Sequence, residues 1–171
     1  SITVSIPTTD DGTDEPNESF TVNGTITSGT TSNTSTSGVV TINDNDSQPT
    51  VSIGAITVIE GETATVPVSI DVPSSIDTVI AITTSTGTAE SNDYTETTVT
   101  ATIPAGETTI NVTIPTVDDI TDEPTESFTV NGTITSGTTT NTSTSGTVTI
   151  NDNDSRPTVS IGDITVSEGE T

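Results

Sequence analysis

The chain repeats itself. Residues 1–63 align without a gap on residues 109–171, at an offset of 108, and 52 of those 63 pairs are identical. The segment SFTVNGTITSGTT at 19–31 returns intact at 127–139, and TINDNDS at 41–47 returns at 149–155. Self-similarity at a fixed period limits the fold to one that can be built again and again along a single chain. A unit of 108 residues is long enough to bury its own core, unlike the short units of solenoids. The repeat therefore predicts beads on a string: residues 1–48 as the later part of one unit, 49–156 as a complete unit, and 157–171 as the opening strand of a third. The linkers SQP (47–49) and SRP (155–157) are short and contain Pro, which limits bending more than a Gly/Ser tether would.

Within the complete unit the apolar residues are mostly Val and Ile at every second position, interleaved with Thr and Ser, as in VTATIPAGETTINVTIP at 99–115. β-Branched residues at period two mark half-buried strands. Low hydrophobicity with high net charge is also the signature of disorder, but scattered apolar residues would be expected there rather than this alternation. The pattern predicts seven strands, at 51–58, 63–71, 77–84, 96–103, 107–115, 126–134 and 145–151. Turn signals lie between them: EGE at 60–62, VPSS at 72–75, GTAESND at 87–93, PAGE at 104–107 and SGTTTNTSTSG at 136–146. Seven short strands with this punctuation predict an all-β, Ig-like antiparallel β-sandwich, with Phe128 and Tyr94 as its large aromatic fillers. No stretch reads as a helix or a membrane span. Residues 1–48 lack the first four strands of a unit and are expected to be poorly ordered unless neighbours complete them.

Charge narrows the function. There are 25 acidic residues against one cation, Arg156, for a formal net charge of −24. Such a chain cannot bind nucleic acid by neutralising phosphates, and an anionic membrane surface repels it. The acids gather in turns and at strand ends: Glu60 and Glu62, Glu90 and Asp93, DDITDEPTE at 118–126, then Asp152 and Asp154. In a sandwich these loops can meet at one end. Two like charges 4 Å apart cost about 4 kcal/mol at an effective dielectric near 20. With no Lys or His to offset that, a hard divalent cation is the simplest remedy, and Ca²⁺ accepts six to eight oxygen ligands in irregular geometry. Zn²⁺ and Cu²⁺ are disfavoured because the chain has neither His nor Cys. A lone DND is more often an ordinary polar turn; four acidic clusters per unit without basic partners reverse that weighting.

These segments resemble the Calx-β domain, the calcium-binding sandwich module of sodium–calcium exchangers and integrin β4. The resemblance rests on IEGET and SEGET after the first strand, STGTAESNDY (85–94), IPAGETTINVTIP (103–115), DDITDEPTESFTV (118–130) and GTVTINDND (146–154), in the family's order across nearly the whole unit. It implies Ca²⁺ held at one end of the sandwich by Glu60, Asp93, Asp118 or Asp119, Asp122 or Glu123, Asp152 and Asp154. Through the repeat, the matching positions in the partial units are Asp10, Asp11, Asp14, Asp44, Asp46 and Glu168. This chain departs from the family pattern at Asn153, where a third consecutive Asp is common, at Asn92 before the DY pair, and at Pro124, where Gly is frequent; one or two ions per unit are expected. Strand end and metal would then lie beside the next unit, with Arg156 and Asp163 adding contacts across the joint.

Nearly identical Thr/Ser-rich, Lys-free copies also resemble the extender region of giant bacterial cell-surface adhesins, of the gliding-motility or RTX type. That likeness implies an extracellular stalk, stabilised by Ca²⁺ and contacting neighbouring units of its own chain, with any surface or glycan ligand bound elsewhere in the parent protein. The alternative is a calcium-sensing regulatory Calx-β module, against which near-identity of copies argues, since sensors diversify their affinities. A glycan-binding module would want more aromatics than one Tyr and two Phe supply. An enzyme is disfavoured by the lack of His, Cys and Lys, although carboxylate pairs such as Asp118 and Asp122 can serve as acid and base. Sequons at Asn23, Asn33, Asn111, Asn131 and Asn141 are expected by chance in this composition.

Arg156 is followed by Pro157, so a trypsin-like protease has almost no usable site. Incubation with trypsin in a chelator should leave the chain intact on a gel, and rapid fragmentation would contradict this reading.

Overall fold

The computed structural model describes residues 2–169. Ser1, Glu170 and Thr171, the outermost ends of the two expected partial units, lie outside the described residues. Ten strands follow in order: β1 (Glu18–Thr25), β2 (Ser35–Ile42), β3 (Val51–Ile53), β4 (Ile56–Ile59), β5 (Thr63–Ile70), β6 (Thr78–Ser85), β7 (Thr98–Ile103), β8 (Thr109–Pro115), β9 (Glu126–Ser136) and β10 (Ser143–Asn151). In the complete unit, a five-stranded sheet of order β4-β10-β9-β6-β7 faces a three-stranded sheet of order β3-β5-β8. This is the expected all-β, Ig-like sandwich.

Period two drives the packing. Ala64, Val66, Val68 and Ile70 of β5 are buried, while the alternating Thr63 and Thr65 are exposed and Pro67 and Ser69 half-buried. Val112 and Ile114 of β8 join them from the same sheet, and Ile80, Ile82, Phe128, Val130, Val148 and Ile150 face them from the other. Tyr94 and Phe128 stack with ring centroids 3.9 Å apart and planes within 9°. Of the two large fillers, one comes from a loop and the other from a strand, so their stack fixes the 87–97 loop to the sheet.

The first expected strand, at 51–58, is corrected into two, because the chain changes sheets within it. β3 pairs antiparallel with β5, whereas β4 pairs parallel with β10, so the sandwich is not wholly antiparallel. The switch occurs at Gly54–Ala55. The Gly54 N–H donates to the Pro67 carbonyl at 2.9 Å. A Cβ on Gly54 would lie 2.7 Å from Pro67 Cγ, and one on Gly146 would lie 2.7 Å from the Gly54 oxygen. Period-two alternation carries no sign of this step, since β3 and β4 each obey it. The other strand ends agree with the sequence reading to within about two residues, the usual error of such boundaries.

The first copy offers an internal control. β1 and β2 carry nearly the sequence of β9 and β10, and pair in the matching register: Glu18 with Ile42, as Glu126 with Ile150. The hairpin is thus formed where poor order was expected, because its ladder is local. Its apolar face is open, however, since no second sheet covers it: Phe20 is 36% exposed where the equivalent Phe128 is 1% exposed. At the other end, residues 157–169 form no strand. The matching segment 49–61 draws its order from β5 and β10, and among the described residues 157–169 have neither kind of neighbour to pair with.

Phe128→Ala should destabilise the complete unit by about 3–5 kcal/mol, as expected for emptying a buried aromatic site. Phe20→Ala, in the open hairpin, should cost well under half of that. Denaturant unfolding followed by circular dichroism, which reports strands in both copies, measures both. Equal losses would contradict the difference in burial.

Candidate metal site

Three loops and the end of β10 bring carboxylates to one pole of the sandwich. Glu60 follows β4, and its backbone N–H donates to the Asn151 carbonyl at 3.0 Å, continuing the β4–β10 ladder for one more bond. Gly61 then turns with φ +77°, a left-handed conformation that favours Gly, and a Cβ there would sit 2.8 Å from Asp118 Cβ. Asp93 is fixed by its own loop. Its Oδ2 accepts the Glu90 N–H at 2.6 Å, and its carbonyl accepts the Val117 N–H at 2.9 Å. Asp119 caps a turn by accepting the Thr121 N–H at 2.6 Å. Beyond β10, alternation places Asp152 and Asp154 half-buried with exposed Asn153 between them.

Two carboxylate groups result. Glu60, Asp119 and Asp154 form one, and Asp93, Glu123 and Glu126 form the other; in each, one oxygen per residue lies within 4.8 Å of the others. Glu60, Asp93, Asp119, Glu123, Glu126 and Asp152 line a single cleft. The structure thereby separates two pairs that the sequence left open. Asp119, not Asp118, enters the first group, and Glu123, not Asp122, enters the second. Asp118 instead accepts the Asn153 side-chain amide at 3.2 Å. Asp122 faces Arg156 at 3.8 Å, an exposed pair that contributes little to stability. Arg156 thus turns back onto its own unit rather than reaching Asp163, which is exposed.

Glu126 was not among the residues expected. It closes the acidic run at 118–126, but as the first residue of β9 it reads as a strand position. A signal was nevertheless present, because ESF at 126–128 makes Glu126 and Phe128 share one face, directed inward. Asn153 also gains a physical account. Its backbone N–H donates to Glu60 Oε1 at 3.0 Å while its side-chain amide serves Asp118. A third Asp would lose that amide donor and add another negative charge.

In the first copy, Asp10, Asp11, Glu15, Asp44 and Asp46 line an equivalent acidic cleft beside β2, and Asn45 donates its side-chain amide to Asp10 at 3.2 Å. Asp14 is not part of that cleft; it is buried against the complete unit. Glu168 lies exposed in the unpaired 157–169 segment and joins no carboxylate group among the described residues.

Electrostatic strain is visible in the acids themselves. Burial, a hydrogen bond with Asp93 and the charges of Asp93, Glu123 and Glu90 push Glu126 up to about 7. Loss of solvent, then Asp152, Asp119 and Asp118, raise Asp154. Loss of solvent, then Asp119, Asp93, Asp152 and Asp154, raise Glu123. The Asn153 N–H lowers Glu60, but burial and the neighbouring Asp152 and Asp154 outweigh it, and the net shift is upward. Asp152 Oδ1 and Asp154 Oδ2 are buried without any hydrogen-bond partner. Buried carboxylate oxygens without donors are costly unless a cation meets them. An all-oxygen donor set of this kind fits a hard divalent ion and does not fit Zn²⁺ or Cu²⁺.

An Ig-like sandwich with carboxylates from three loops and the end of its last strand gathered at one pole is an all-β module with a candidate cation site. The family model for the Calx-beta domain matches residues 44–154, and the chain belongs to that family. Solved structures agree on the fold. The apo-form Calx CBD1 domain is 18% identical, with a TM-score of 0.52, over 61% of this chain and 99% of that one. CBD12 from CALX1.2 is 21% identical with a TM-score of 0.51, over 60% of this chain and 46% of that one. The calcium binding domain CBD12 of CALX1.1 is 18% identical with a TM-score of 0.52, over 61% and 44%. The chain thus spans about half the length of the two CBD12 structures. No curated protein matches it.

Glu126 binds its proton more tightly in the folded chain than at the ordinary value of 4.5. In a chelator the folded state therefore holds more protons than the unfolded state between those values, and stability rises as pH falls. The melting temperature should climb as pH drops through about 7, and level off near 4.5 once the unfolded chain is protonated too. Glu126→Gln should flatten that rise. A melting temperature that falls over the same range, measured by circular dichroism, would contradict the assignment.

Proposed function

We propose that this chain is a calcium-stabilised structural extender, a stalk segment of a large secreted bacterial cell-surface adhesin that holds a distal binding region away from the cell. The observation that carries the reading is the pairing of two carboxylate groups, with buried unpartnered oxygens on Asp152 and Asp154, with a 108-residue repeat that copies the acidic loops. Membership of the Calx-beta family and the calcium binding of the similar CBD12 structure support the choice of ion.

Glu60, Asp119 and Asp154 would hold one ion, and Asp93, Glu123 and Glu126 a second, with Asp152 between them. The ion supplies positive charge that the chain cannot supply for itself. The protein's part is to fix the loops: Asp93 through the Glu90 N–H, Asp119 through the Thr121 N–H, and Glu60 through the β4–β10 ladder. In a calcium-rich extracellular medium each unit would complete its fold on secretion, because metal binding to the folded state alone is folding free energy. The role is mechanical and needs no catalysis. Repetition suits it, since every copy adds length, whereas a catalytic or sensing site gains little from near-identical copies.

A thermal melt of the chain in EDTA, in excess Mg²⁺ and in millimolar Ca²⁺ tests the metal. Ca²⁺ alone should raise the melting temperature by many degrees; at a hundred times the dissociation constant the gain is about 2.7 kcal/mol. Asp119→Asn combined with Glu126→Gln should remove most of the shift. The same melting temperature in all three buffers would remove the calcium sites and, with them, the support for a metal-stabilised stalk.

A further inference from the structure

The acidic pole of the first copy does not hang free. Its loop at 10–17 meets the opposite pole of the complete unit, and the contact is centred on one residue, Asp14. The Asp14 N–H donates to the Pro73 carbonyl at 3.0 Å, and the Asp14 carbonyl accepts the Ser75 N–H at 2.9 Å, a parallel bridge against Ser74. Ser75 Oγ donates to the same carbonyl at 3.1 Å. Thr138 Oγ1 donates to the Asp14 side chain. Asp14 is left 6% exposed, its carboxylate met by the Thr138 hydroxyl and its backbone carbonyl by Ser75.

The receiving side is built and held. Ser74 is buried, its carbonyl accepts the Gly106 N–H at 2.8 Å, and its hydroxyl accepts the Ile76 N–H at 3.4 Å. The linker is pinned at the same pole, with the Thr140 N–H donating to the Pro49 carbonyl at 2.8 Å and the Thr50 N–H to Asp71 Oδ1 at 2.6 Å. Nothing in this contact uses the carboxylate groups assigned to metal.

The repeat supplies the second half of the argument. Asp122 stands in the complete unit where Asp14 stands in the first, within the same TDEP motif. Its loop has the same internal turn, Thr121 N–H to Asp119 Oδ1 at 2.6 Å, matching Thr13 N–H to Asp11 Oδ1 at 2.8 Å. Yet Asp122 is not buried as Asp14 is, and its ion pair among the described residues is with the exposed guanidinium of Arg156. The key is cut in both copies, and only the copy with a following unit has a lock.

We propose that Asp14 and Asp122 are docking keys, each entering a socket made by the Pro73–Ser75 turn and Thr138 of the unit that follows, and that this contact sets one orientation between successive units. Asp122 therefore takes a further copy of this repeat as its partner, with Arg156 at the second joint where Gln48 lies at the first. Key and socket lie at opposite poles, so the contact is heterologous and propagates without closing. The inference rests on the chain being a tandem array and is independent of the metal.

The test uses the full chain, which has no Cys, labelled after Ser37→Cys and Thr100→Cys at exposed strand positions. Spin-label distances in millimolar Ca²⁺ should form one narrow distribution. Asp14→Ala and Thr138→Val should each broaden it several-fold, and the double variant no further than either, while melting of the complete unit stays unchanged. Distributions as narrow in both single variants as in the parent would overturn the key; a broad distribution in the parent would overturn the single orientation between units. In a chain with a second copy of 49–156 inserted after Arg156, Asp122→Ala should broaden only the new joint. No change there would overturn the assignment of Asp122.

Discussion

Like charges gathered in a small space govern how this sandwich is completed. Glu60, Asp119 and Asp154 bring oxygens within 4.8 Å of one another, Asp93, Glu123 and Glu126 do the same nearby, and the one Arg is spent on an exposed pair with Asp122. Backbone and side-chain amides do what they can: Asn153 serves Glu60 and Asp118, and Glu90 and Thr121 lend their N–H groups to Asp93 and Asp119. They leave Asp152 Oδ1 and Asp154 Oδ2 unmet, and Glu126 holds its proton up to about 7. The loops at this pole are shaped for something positive. That demand explains why Gly61 must turn left-handed beside Asp118, and why β10 ends in alternating Asn and Asp instead of a simple turn.

Much of this was legible in the residues. Alternation in 63–70 and 109–115 marks strands because each position has only two faces to choose from, and the turns between them carry their own Gly and Pro. The acidic pole was legible because charges confined to loops must meet where loops meet. Three things were not. The step from β3 to β4 is invisible, because a strand that changes sheets keeps its period while it changes neighbours. Glu126 closes the acidic run at 118–126, but because it also opens a strand it does not stand out as a ligand. The choice between Asp118 and Asp119, or between Asp122 and Glu123, depends on backbone direction in a loop, and there adjacent carboxylates look alike to any pattern.

The two copies of the hairpin separate what is local from what is not. β1–β2 and β9–β10 share register and nearly all of their sequence, yet one carries Phe at the surface and the other buries it. Pairing is written in the hairpin; burial is conferred by the sheet laid over it. Segment 157–169 makes the converse point, since its match in the complete unit is ordered by strands from elsewhere in the chain.

The parallel pairing of β4 with β10 has a consequence for load. The chain enters the complete unit through the short strand β3, changes sheets at Gly54 and leaves just after β10, and β4 and β10 run side by side from Ile56 with Val148 to Ile59 with Asn151. Tension along the chain therefore pulls these strands past each other in shear, so their hydrogen bonds resist together instead of opening one at a time. The sheet switch at Gly54, which looks like an irregularity of the first strand, is what brings the entering chain alongside the departing one.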